Sequence, residues 1–147
     1  MLSPLFKDVF LYHWREESQH AIIDELEWMR EDAKFASDAA RDAAVDDLIA
    51  LVGGVDGILQ AQAKADAAYF LAASRLPGTG ATASRVEAGI LKAYRWQYIV
   101  SGAIHPHFQK VLSSLVSDAQ MARIQAALAP LTYAMPAQQE AVAAMTH

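Results

Sequence analysis

The stretch that decides the fold is PLFKDVFLYHWREESQHAIIDELEWMRED, Pro4 to Asp32. Helix formers dominate it and the apolar/polar alternation of a half-buried strand is absent, which predicts one long helix. Ser3 can cap that helix, and Pro4 suits a first-turn position whose N–H would have gone unused. A turn follows over Asp32 to Ala36. A second long helix is expected from Ser37 or Asp38 towards Ser74, entered through a side-chain oxygen that accepts an orphaned backbone N–H.

The rest of the chain reads the same way. Leu76-Pro77-Gly78-Thr79-Gly80 marks a loop, since Pro ends a helix and the glycines open left-handed backbone angles. Ser84 and Glu87 have the spacing of a capping box, so Glu87 reads as a cap rather than a ligand. A third helix then runs to about Ser101, before Gly102 and Pro106. Pro106 opens a helix to about Leu115, and Ser117 with Gln120 opens another to about Leu128. The fold class is therefore all-α, a helical bundle of two long helices with two or three shorter ones. One bundle domain is expected over residues 1–129, with 130–147 a weakly helical or frayed tail.

Composition narrows the function. The chain has 147 residues, 54% hydrophobic and 20% charged, enough for one core and too apolar for a disordered chain. Seventeen acids against 12 Lys and Arg give a net charge of −5, the wrong sign for a nucleic-acid binder. With no cysteine, disulfides, thiolate metal sites, Cys nucleophiles and iron–sulfur clusters are excluded, so any metal must be held by His, Asp and Glu. Lys7 and Asp8 interrupt the first apolar stretch, unlike a signal peptide, and apolar runs fall short of the ~20 residues a bilayer needs. A cytoplasmic, membrane-free protein is the expectation.

Metal-competent side chains are densest in the first helix. At roughly 100° per residue, His13, Glu17, His20 and Asp24 fall within an arc of about 60°, one stripe that Glu27 and Glu31 extend. Glu17 and His20 form the Glu-x-x-His pair that aims a carboxylate and an imidazole at one point in di-iron and di-manganese bundles. These donors suit iron, manganese or zinc, since a carboxylate can bridge two cations while a histidine terminates each coordination sphere. A charged stripe on a long helix is also what a solvated face looks like. Phe6 and Phe10 share the end of the stripe, whereas Leu11, Ile22, Leu26 and Met29 lie opposite, so periodicity leaves the inner face open.

The run Phe10-Leu11-Tyr12-His13-Trp14-Arg15-Glu16-Glu17-Ser18-Gln19-His20-Ala21 resembles the last metal-binding helix of ferritin-like di-iron carboxylate proteins, closest to the para-aminobenzoate N-oxygenase type. Tyr94 to Phe108 is similar, less specifically, to the C-terminal part of such proteins. The resemblance implies a four-helix core holding two irons that activate dioxygen, and hence a non-haem di-iron oxidoreductase. It implies His13 and His20 as terminal ligands and Glu17 as a bridging or chelating carboxylate. The family's full site also needs an earlier Glu and a second Glu-x-x-His. Three completions stay open: a longer protein, donors from this chain's own later helices, or two subunits pooling their motifs across a two-fold axis. The last predicts a homodimer.

For self-completion, equal rises from the turn place Asp56 about level with Glu17 and His13, making it the best additional ligand, with Asp66 poorer. Gly53, Gly54 and Gly57 interrupt the second helix; they permit either a kink or close helix contact, or room for a ligand. His105 and His107 read as turn or cap residues, Asp38, Asp42 and Asp46 as a solvent face, and Trp14, Trp28, Tyr94, Trp96 and Tyr98 as packing or interface residues. No substrate follows from these residues. Three functions remain: a metal-binding ferritin-like protein, a metal-free helical interaction or oligomerisation module, and a bundle that holds a small ligand beside Gly53 and Gly54.

Overall fold

A computed structural model describes residues 3–35, 37–74 and 79–136. The described residues form helices joined by short turns, with no strand, in the order α1 Pro4–Asp32, α2 Asp38–Ser74, α3 Gly80–Arg95, a π-helical segment Trp96–Val100, a single turn α4 Ser101–Ala103, α5 Pro106–Leu115, α6 Asp118–Leu128 and a 3-10 helix Ala129–Ala134. No helix among the described residues is long and apolar enough to cross a membrane. The chain divides into two compact units, Met1–Arg41 and Asp42–His147.

The first unit is α1, its turn and the entry to α2. Ser3 caps α1 by accepting a hydrogen bond from the Phe6 N–H at 3.2 Å, with Pro4 in the first turn. At the other end the Lys34 and Phe35 N–H groups bond the carbonyls of Glu31 and Asp32. Arg41 then reaches back to Asp32, Nε to Oδ1 at 3.2 Å. Ser37 caps α2, accepting from the Ala40 N–H at 3.3 Å. Local chemistry thus defines both ends of the turn. Among the described residues of this unit no side chain is buried, α1 included. Its large apolar residues lie on several faces, with Phe10 58%, Trp14 66% and Leu26 62% exposed.

The second unit holds the core: Val45, Leu59, Ala63 and Ala67 from α2, Ile99 and Val100 from the π-helical segment, Leu112 from α5, and Ala134. Three apolar residues four positions apart, Leu59, Ala63 and Ala67, make the inner stripe of α2. Around this core, polar pairs fix how elements meet. The row Asp42 and Asp46, expected to be a solvent face, is more than half exposed and also receives α6: Gln120 Nε2 donates to Asp42 at 2.9 Å, and Arg123 bridges Asp42 and Asp46. Gln120, 6% exposed, also closes the capping box with Ser117 through both reciprocal hydrogen bonds. Asp38 lies in the first unit, its side chain 99% exposed.

Two local expectations are corrected. The N-cap of α3 is Thr79, which accepts from the Thr82 N–H at 3.3 Å, so Ser84 and Glu87 lie inside the helix and do not cap it. Thr79 occupies the extended backbone that an N-cap needs, and the helix is already under way when Ser84 is reached. The glycines of α2 are not sites of close helix approach either. A Cβ placed on Gly53, Gly54 or Gly57 would meet no atom within 4 Å, and α2 continues through all three.

Other expectations fall into place. His105 caps α5, its Nδ1 accepting from the His107 N–H at 3.3 Å. The third helix does not stop cleanly: after Arg95 the backbone widens by one residue per turn, with the Ser101 N–H bonded to the Trp96 carbonyl. Part of the expected C-terminal tail is the 3-10 helix Ala129–Ala134, whose Ala134 is buried. Residues 75–78 of the expected loop, Ala36 of the turn, and 137–147 lie outside the described residues.

Candidate metal stripe and the Asp56 cluster

The uninterrupted α1 helix sets His13, Glu17 and His20 on one face, and Glu17 stands between the two imidazoles. Its Oε1 faces His13 Nε2 at 3.7 Å and its Oε2 faces His20 Nδ1 at 3.5 Å. Both separations exceed a hydrogen bond. Each is close to the distance of about 3.4 Å between two donors that sit ~2.1 Å from one ion at a tetrahedral angle. One carboxylate oxygen per imidazole is also the pattern of a carboxylate bridging two ions. All three side chains are more than half exposed, and Asp24 is exposed four residues further on.

The arrangement is two donor pairs sharing one carboxylate. Among the described residues no group of three or more His, Asp or Glu is gathered tightly enough to hold a metal ion. The acidic extension of the stripe is committed to cations of the same segment: Glu27 pairs with Arg30, and Glu31 with Arg30 and Lys34. Hydrogen bonds from Lys34 and Arg30 lower the Glu31 pKa below its ordinary value.

Asp56 belongs to the second unit and has a different role from the ligand expected of it. Arg95 grips it with two N–H groups, Nε to Oδ1 at 2.6 Å and Nη2 to Oδ2 at 2.7 Å. Gln60 donates to Oδ2 as well, at 2.7 Å. With both oxygens engaged, the carboxylate is a structural counter-charge, and these hydrogen bonds hold its pKa below the ordinary carboxylate value. Sequence spacing gave no sign of its partner 39 residues away. Asp66, the poorer candidate, accepts from Tyr94 and from Gln62, the latter at 2.9 Å.

The residues around Asp56 also border a cavity of about 410 Å³, wholly within the second unit. Val52 and Gly53 of α2, Ile124 and Ala127 of α6, and the buried Ile99 and Leu112 are among its lining. The expectation of room beside Gly53 is met by this space; Gly54 is not part of its lining.

Compared with known protein families, with curated proteins and with solved structures, the chain matches none.

Proposed function

We propose that this is a ferritin-like, metal-binding helical protein, a di-iron oxidoreductase or a partial member of that class, in which His13, Glu17 and His20 hold iron with Asp24 as an adjoining donor. Manganese and zinc are the alternative ions for this donor set. The observation that carries the reading is the placement of Glu17, which turns one oxygen to each histidine. Three donors from one chain leave each ion short of ligands, so the rest come from a second copy whose α1 lies antiparallel about a two-fold axis. An isologous contact there opposes two identical stripes and gives a symmetric set of four histidines and two glutamates. A bound metal pair of this kind would supply dioxygen activation. The protein's own part is to orient the imidazoles, bridge them with Glu17 and exclude water with the apolar residues that flank the stripe.

Iron supplementation of the purified full chain, followed by elemental analysis and sedimentation, tests this. Stoichiometric iron in a dimer, lost in His20→Ala and in Glu17→Gln while the helical spectrum is retained, is the expected result. Iron below about a tenth of an ion per chain, negligible against one ion for each imidazole–carboxylate pair, would overturn it.

A second reading, a metal-free oligomerisation module, is favoured by the absence of any buried side chain along all 29 residues of α1. Exposed apolar area on that scale marks an interaction surface. It predicts a dimer that forms equally well with the histidines replaced.

A further inference from the structure

The cavity in the second unit is independent of the metal stripe and has its own chemistry. It is half open to solvent: Leu112, 1% exposed, and Ile99, 7% exposed, are its buried lining, whereas Leu51 and Tyr98, each 65% exposed, border it on the solvent side. The volume of about 410 Å³ lies within the range of roughly 300–1,000 Å³ common to small-molecule sites.

The lining offers an occupant almost nothing to bond. Its one charged residue is Asp56, already engaged by Arg95 and Gln60. No buried side-chain nitrogen or oxygen among the described residues lacks a hydrogen-bond partner. A polar occupant would therefore lose its own hydration with only the Tyr98 hydroxyl, on the exposed side, to replace it, and an anion would in addition meet the Asp56 carboxylate. An apolar occupant would gain from leaving water. Two features of the walls keep the space open. Gly53 lines it without a side chain, and a Cβ there would meet nothing within 4 Å. The π-helical segment Trp96–Val100 presents Tyr98 and Ile99 to it, and such widened turns recur at functional sites because they re-aim side chains. We infer that the second unit binds an uncharged, apolar small molecule in the cavity between Gly53 on α2 and Ala127 on α6.

The test uses the full chain and two fluorescent probes that differ by one charge. N-phenyl-1-naphthylamine is neutral, and 8-anilino-1-naphthalenesulfonate is the same pair of rings with a sulfonate. The neutral probe is expected to bind saturably, one per chain, and the sulfonate at least about tenfold more weakly. Gly53→Leu fills the space from one wall and Ala127→Phe from the other; each is expected to weaken the neutral probe at least about tenfold, whereas Gly54→Leu, whose side chain enters open space outside the lining, changes it less than about twofold. Circular dichroism checks that each variant folds, and the wild-type comparison of the two probes decides the charge preference without any variant. The inference is overturned if wild type shows no saturable binding of the neutral probe, if the sulfonate binds equally well, or if folded Gly53→Leu and Ala127→Phe both retain binding.

Discussion

Arg95 and Asp56 form a two-pronged ion pair across 39 positions of sequence, with both side chains about 15% exposed, at 15% and 14%. The pair joins the end of α3 to the middle of α2. Arg95 also donates through Nη1 to the Tyr133 hydroxyl at 2.8 Å and lies 5.7 Å from the centre of that ring. Three distant segments of the second unit therefore meet at one guanidinium.

Removing either partner leaves a mostly shielded charge uncompensated. Asp56→Asn or Arg95→Met is expected to cost about 2 kcal/mol, between the values for exposed and fully buried pairs. The double variant should lose less than the sum of the two, because the second substitution removes the orphaned charge. Urea unfolding of the four proteins measures this; strict additivity would show that the pair contributes no coupling.

The same pair sets a pH dependence with a definite sign. Arg95, followed by Gln60, lowers the Asp56 pKa from its ordinary 3.8. The associated stability is complete above that value and is lost as pH falls through the lower, folded-state pKa. Wild type and Asp56→Asn should thus differ most near neutrality and converge on acidification. On the alkaline side, the hydrogen bond to Asp66 raises the Tyr94 pKa above 10.0. Its contribution is complete below that value and disappears as pH rises through the folded-state pKa. Tyr94→Phe should remove this alkaline loss, as followed by unfolding midpoints across the range.

Gly54 and Gly57 sit inside α2 with open space where a Cβ would go. Gly54→Ala and Gly57→Ala are expected to stabilise the protein by about 0.5–1 kcal/mol each, through helix propensity and a less disordered unfolded chain. A fall in the thermal midpoint would contradict the open-space reading.

The start of α3 separates two capping assignments. Thr79→Ala should cost about 1 kcal/mol, because it removes the acceptor for the Thr82 N–H. Ser84→Ala, inside the helix, should be neutral or slightly favourable. Ser117→Ala, which breaks a complete capping box, serves as the positive control at about 1 kcal/mol.

What could be read in the chain follows the range of the forces involved. The bounds of α1, its Ser3 cap, the entry to α2 at Ser37, the start of α5 at Pro106 and the capping box at Ser117 are all set by neighbours within a turn or so. So is the alignment of His13, Glu17 and His20, a consequence of 3.6 residues per turn. Short-range chemistry of this kind is written in the residue order, and the helical class came with it. The capping error at Ser84 has the same origin: two spacings compete locally, and the preceding Thr79 took the position.

Only the folded chain decided which polar residues meet. Asp56, Asp66, Asp42 and Asp46 look alike in the sequence, as acids on one Ala-rich helix, yet Arg95, Tyr94, Gln120 and Arg123 select among them. Those choices depend on how α3 and α6 lie against α2, and hence on packing around Leu112 and Val100, the largest fully buried side chains. Gly53 is the plainest case. Its missing side chain is visible in the sequence, but whether the gap admits a neighbouring helix or a cavity is a property of everything around it, because empty space is defined by its walls.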